Sequence, residues 1–221
     1  MIFDVRKLAS EFIGTLFLVA TVIGSGIMAE SLAEGNAAVA LLGNTLATAG
    51  ILYVLIICLG PISGAHFNPA VSFVFWLNRE LSTDRCALYI IFQCLGAIVG
   101  VILAHAMFDQ SLIQTGVKIR FGSNIWLSES IATFGLVATI LTGLRHKPES
   151  VPSLVSLYIT AGYWFTSSTS FANPAVTLGR SFTDSFSGIR LVDMPFFVIS
   201  QFFGAALAYY LVRKLLSTNS S

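Results

Sequence analysis

Charge is scarce in this sequence. Of its 221 residues only 10% are Asp, Glu, Lys or Arg, whereas soluble domains carry about 25%, so the chain has too few to cover a water-facing surface. The two signs almost cancel, leaving a net charge of +1, and nothing in that balance calls for a nucleic-acid partner. Cysteine is also sparse. Cys58, Cys86 and Cys94 lie in or beside apolar segments, without a CxxC spacing and without a cluster with the three histidines. That argues against a disulfide framework or a zinc site and leaves them as small packing residues. No nucleophile, base and oxyanion set converges anywhere, so neither an enzyme nor a resident cofactor or metal is expected.

What is abundant is apolar length. Hydrophobic residues make up 55% of the chain and the mean hydropathy is +0.82. Several stretches approach or exceed the roughly 20 residues that cross a bilayer as a helix. Six spans are expected, near 8–29, 38–59, 86–107, 125–144, 151–169 and 193–213, the fifth being shorter and rich in Ser, Thr and Gly. The first apolar segment, Phe12 to Met28, is longer than a signal-peptide core of about 7–15 residues and reads as a retained helix. An even number of spans puts both termini on one side. Arg6, Lys7, Arg79, Arg85, Arg145, Lys147, Arg213 and Lys214 then share that side, with Lys118, Arg120, Arg180 and Arg190 opposite. The cationic bias places the termini in the cytoplasm.

The chain repeats itself. Ser10 to Thr21 matches Ser128 to Thr139 at eight of twelve positions, Phe67-Asn-Pro-Ala-Val71 matches Ala172-Asn-Pro-Ala-Val176, and Gln93-x-x-Gly-Ala97 matches Gln201-x-x-Gly-Ala205, in the same order. The chain therefore divides into halves of about 1–110 and 120–221 within one membrane domain. Three spans per copy is an odd number, so the second copy enters from the opposite face. This is an inverted repeat, an architecture that sets its functional site near the midplane.

Each Asn-Pro-Ala stands in a segment too short to span. Gly60 to Ala65 and Ser167 to Ala172 are irregular, and apolar runs to Trp76 and Phe182 follow the two motifs. Asn is a good N-cap and Pro suits the first helical position, so Asn68-Pro69-Ala70 and Asn173-Pro174-Ala175 each open a re-entrant half-helix. Irregular backbone at that depth survives only when buried in protein or lining a watery cavity. Two half-helix N-termini meeting at the midplane would each bring roughly half a positive charge. Donors and positive dipoles there repel cations while neutral hydroxylated molecules pass.

The segments Ser63-Gly-Ala-His-Phe-Asn-Pro-Ala-Val71 and Phe171-Ala-Asn-Pro-Ala-Val176 resemble the paired signature of the major intrinsic protein family, the aquaporins and aquaglyceroporins. The resemblance covers nearly the whole chain. It implies an all-α membrane fold of six helices plus two half-helices, one pore per subunit, and a homotetramer in the cell membrane. It further implies that Glu11 and Glu129 accept hydrogen bonds from the unwound backbone before each half-helix, and that His66 steadies the first loop. An ion pathway is the other role for an intramembrane acid, but the two stand symmetrically beside the two loops.

In that family a second, extracellular constriction is lined by four positions. Counted ungapped from the motifs, they fall on Thr48, Ala161, Ser170 and Val176. The fourth is usually an arginine and the first a large aromatic. Small side chains at all four imply a wide, uncharged filter that admits glycerol, urea, or neutral metalloid hydroxides such as arsenous acid, besides water. The arginine-lacking pattern is similar to a divergent bacterial branch linked with arsenical permeation. Arg180, one helical turn beyond Val176, is either a charge at the outer mouth or, the expected case, a surface residue paired with Asp184. Three rivals stand beside the solute channel. A strict water channel would need a neighbouring Phe or Tyr to close the filter. A coupled transporter would need more intramembrane charge. A non-conducting structural protein would have little use for two intact motifs.

Overall fold

The computed structural model describes residues 4–217. Six long helices and two short ones follow in chain order. They are α1 (Val5–Leu32), α2 (Ala37–Ser63), α3 (Pro69–Leu77), α4 (Thr83–Met107), α5 (Ser123–His146), α6 (Val151–Phe165), α7 (Pro174–Arg180) and α8 (Met194–Ser217). A helix stands at each of the six expected places. Among the described residues five helices are long and apolar enough to cross a membrane. The exception is α6, whose 15 residues reach only about 22 Å at 1.5 Å per residue. It stops at Phe165 instead of 169 because the chain turns there into the loop that carries the second motif. The half-helices end at Leu77 and Arg180, close to the expected limits.

Packing repeats between the halves. Helix α1 lies against α2 and α4, as α5 lies against α6 and α8; α3 rests on α4 and α7 on α8. The halves join through α2 with α6 and through each half-helix reaching across, α3 to α8 and α7 to α4. The surface is inverted relative to a soluble protein. Ile13, Phe17, Leu42, Leu46, Ile91, Leu95 and Phe203 face outward, while Glu11, Gln93, His105, Glu129 and Gln201 are fully buried. An outward apolar belt needs lipid, and buried polar groups need partners; both conditions shape the site described below.

Close crossings depend on small residues, as in other membrane bundles. A Cβ at Gly204 would run into the Ser130 carbonyl oxygen on α5, and one at Gly96 into the Phe12 carbonyl oxygen on α1. Backbone cannot yield as a side-chain tip can. Gly204→Ala is therefore expected to push α8 off α5 and to destabilise the protein by about 1–3 kcal/mol. Thermal unfolding in detergent checks this, and an unchanged midpoint would mean that the crossing tolerates a methyl group.

The candidate pore

Each half-helix starts at its asparagine. Asn68 caps α3, its Oδ1 accepting from Ala70 N at 2.9 Å, with Pro69 in the first position. Asn173 caps α7, its Oδ1 accepting from Ala175 N at 2.9 Å and Val176 N at 3.2 Å. The two caps are also tied across the pseudo-two-fold axis. Asn68 Nδ2 donates to the Ala172 carbonyl at 2.7 Å, and Asn173 Nδ2 donates to the Phe67 carbonyl at 2.8 Å. Each amide keeps a second N–H. The cross-links bring the positive ends of both half-helices together, which concentrates their dipoles at one level.

The loops before the caps are held in a strained form by the two glutamates. Ala65 and Phe67 in one loop, and Ser170 and Ala172 in the other, have left-handed φ between 48° and 51°. These stand three and one residues before each asparagine, so the strain repeats with the sequence. Such a conformation costs of order 1–3 kcal/mol per non-glycine residue unless its surroundings impose it. Glu11 accepts from Ser63 Oγ at 2.7 Å, His66 N at 3.0 Å, Phe67 N at 2.7 Å and Gln93 Nε2 at 2.8 Å. Glu129 accepts from Phe171 N at 2.9 Å, Ala172 N at 2.9 Å and Gln201 Nε2 at 2.7 Å. Gln93 also donates to Ser72 Oγ, and Gln201 to Thr177 Oγ1. His66 adds a contact of its own, Nδ1 lying 3.0 Å from Ser72 Oγ.

A cavity of about 200 Å³ runs past these loops. One wall is apolar, with Leu52 and Ile56 from α2, Leu136 and Ile140 from α5, and Val155 and Ile159 from α6. The polar lining comes from the motif loops, including His66, Asn68, Ser170 and Asn173. An oxygen-bearing solute is thus offered hydrogen bonds along one line and apolar contact along the other.

Three of the four expected filter positions, Thr48, Ser170 and Val176, line this cavity. Ala161 does not. It is exposed on the outer side of α6, and Tyr163 takes its place: 3% exposed, lining the cavity, its hydroxyl donating to Thr48 Oγ1 at 3.2 Å. Ala161 lies two residues, about 200°, from Ile159 and Tyr163 and so faces away. Val151, Val155, Ile159 and Tyr163 all line the cavity, and their four-residue spacing was the signal that ungapped counting missed.

Arg180 also departs from the expected surface pairing. Its side chain is 1% exposed, lines the cavity and donates from Nε to the Ser187 carbonyl, while Asp184 is exposed and makes no ion pair with it. Among the described residues the ion pair is Arg190 with Asp193. The cause lies in the connection after α7, which folds back so that Ile189 N bonds to the Arg180 carbonyl and brings Ser187 over the guanidinium. Arg120, a residue that sequence reasoning used only for orientation, is likewise buried, donating to the Gly188 and Ser168 carbonyls. Burial lowers its pKa to about 10, so it remains a cation at neutral pH. The end of the cavity beside α7 therefore holds a tyrosine and an arginine as well as small side chains.

The fold and this site define a helical membrane pore made of two inverted halves that meet at paired asparagine caps. A family profile described as Major intrinsic protein matches residues 2–165, and the chain belongs to that family as a multi-pass membrane channel. Among its relatives is Aquaglyceroporin AqpS of Rhizobium meliloti (strain 1021), 57% identical over 96% of this chain and 90% of the relative. Aquaporin PIP2-5 of Oryza sativa subsp. japonica is 32% identical over 92% of this chain and 80% of the relative. The X-ray structure of the aquaglyceroporin from Plasmodium falciparum superposes with a TM-score of 0.75 over 96% of each chain at 22% identity, a likeness of fold.

Proposed function

We propose that this protein is a passive channel for small uncharged solutes, glycerol and urea among them, together with water. The observation that carries the reading is the single cavity that holds both asparagine caps on one side and a wall of aliphatic side chains on the other. Asn68 and Asn173 would orient the solute at the midplane through their free N–H groups. Thr48, Ser170 and Val176, with Tyr163 in place of Ala161, would set the size limit. Glu11, Glu129 and His66 would hold the loops. Transport, and no catalytic step, is the activity assigned.

Several finer features belong to the same reading. The working form would be a homotetramer in the cell membrane, each subunit with its own pore and both termini cytoplasmic, as the distribution of Lys and Arg favours. The aquaglyceroporin name of the relative at 57% identity supports polyol passage. Valine at position 176 and uncharged hydroxyls at Thr48 and Ser170 also suit neutral metalloid hydroxides such as arsenous acid, and organoarsenicals.

Stopped-flow light scattering on proteoliposomes tests the reading. In a glycerol or urea gradient, wild-type vesicles should shrink and then reswell faster than empty ones, and in a sucrose gradient they should only shrink. A second reading, a strict water pore, is favoured by Tyr163 bonded to Thr48 within the cavity lining. Vesicles that retain glycerol, urea and arsenous acid outside as firmly as sucrose would establish that reading instead.

A further inference from the structure

The repeat builds the same kind of pair at both mouths of the cavity, with different chemistry. His66, two residues before Asn68, stacks on Phe75, seven residues after it, with ring centroids 4.4 Å apart. Phe171, two residues before Asn173, carries Arg180, seven residues after it, with Cζ 3.4 Å from the ring centroid. All four side chains line the cavity. At the outer mouth the inverted copy has thus put a guanidinium where the inner mouth has a ring.

That guanidinium is incompletely satisfied. Arg180 Nε has the Ser187 carbonyl, but Nη1 is buried without any hydrogen-bond partner. Ser170 Oγ, lining the same cavity, is also buried and without a partner. No carboxylate touches the guanidinium, since the ion pair Arg190–Asp193 is elsewhere; the buried Glu129 acts on it only at a distance. A second guanidinium, that of Arg120, sits 4.9 Å from the Phe171 centroid. A buried cation without a contacting counter-ion is costly, and a buried donor without an acceptor adds to that cost. Both costs fall if the missing acceptor arrives with the permeating solute.

We propose that Arg180, laid flat on Phe171, is the selectivity residue of the outer mouth: its Nη1 donates to a hydroxyl or carbonyl oxygen of a small neutral solute, Ser170 Oγ takes a second hydrogen bond from it, and the fixed charge turns cations away. This rests on the channel reading above. The arginine absent at position 176 is replaced from one turn further along the half-helix, by a side chain whose plane is set by the aromatic face rather than by a carboxylate. Guanidinium side chains stack on aromatic faces and still present donors in a fork, and an ammonium does so poorly.

Urea and the guanidinium ion make a matched test, being planar and of similar size but differing in charge. Proteoliposomes of wild type, Arg180→Met and Arg180→Lys are compared for water flux, urea flux and uptake of labelled guanidinium. In Arg180→Met, guanidinium uptake relative to water flux rises by about tenfold or more. Arg180→Lys keeps guanidinium out but passes urea about threefold more slowly or worse. A ratio of guanidinium uptake to water flux in Arg180→Met equal to that of wild type overturns the proposal. If Arg180→Met does not reconstitute, Arg180→Lys decides alone, and wild-type urea flux in that variant overturns it. Wild-type vesicles that pass water but no urea would defeat the solute reading, yet leave the Arg180 assignment standing wherever Arg180→Met admits guanidinium.

Discussion

Val176→Arg should abolish most glycerol and urea flux while water continues to pass. Val176 stands on the first turn of α7, is 5% exposed and lines the cavity with Thr48 and Ser170. Its methyl groups leave this part of the cavity open, and an arginine there would extend a long side chain across a space of about 200 Å³. The new guanidinium would also stand four residues from Arg180, on the same helical face, where like charges repel. It would have to seek the hydroxyls of Thr48 and Ser170, drawing it further into the passage. Solute flux should fall by about tenfold or more, because three-carbon and amide solutes must pass the new side chain whereas a single water can slip by. Stopped-flow traces at matched protein density measure both fluxes. Equal glycerol flux in the two proteins would place the size limit elsewhere in the cavity.

Glu129→Gln is expected to loosen the second motif loop and lower both stability and water flux. The carboxylate takes Phe171 N on one oxygen and Ala172 N with Gln201 Nε2 on the other. Glutamine keeps the shape but has one acceptor oxygen and one amide donor. Whichever way it turns, its NH₂ meets a backbone N–H. Gln201 can turn its own free carbonyl oxygen toward the new amide, but neither backbone donor can do so. An unsatisfied buried donor costs about 1–3 kcal/mol, in a loop already carrying left-handed backbone at Ser170 and Ala172. The unfolding midpoint in detergent should drop accordingly. Glu11→Gln should do at least as much harm, since Glu11 holds two backbone and two side-chain donors. A Glu129→Gln protein with wild-type midpoint and wild-type water flux would show that the loop holds its form without the carboxylate.

Much of this molecule is legible without coordinates. Long apolar runs in a chain with 10% charge leave helices in lipid as the way to satisfy every backbone group. The repeat of Ser10–Thr21 in Ser128–Thr139, with its odd number of spans, sets the inversion. Asn followed by Pro marks a helix start by rules that act over four residues, and both half-helices begin at that point. Each of these readings depends only on neighbours along the chain or on a comparison of the chain with itself.

The tertiary structure decided which side chains face the passage. Ala161 and Tyr163 lie on one helix with apolar side chains on both its lipid and its pore face, so the row Val151, Val155, Ile159 and Tyr163 is visible in the sequence but not which face it serves; packing of α6 against α2 and α5 turned that row inward. Arg180 could equally have reached Asp184 one turn on, the pairing that local spacing favours. It lies instead beneath Ser187 and on Phe171, because the connection after α7 folds back over this end of the cavity. Elements and motifs follow from local chemistry; the side-chain orientations that line a pore follow from contacts between residues far apart in sequence, and only the packed fold supplies them.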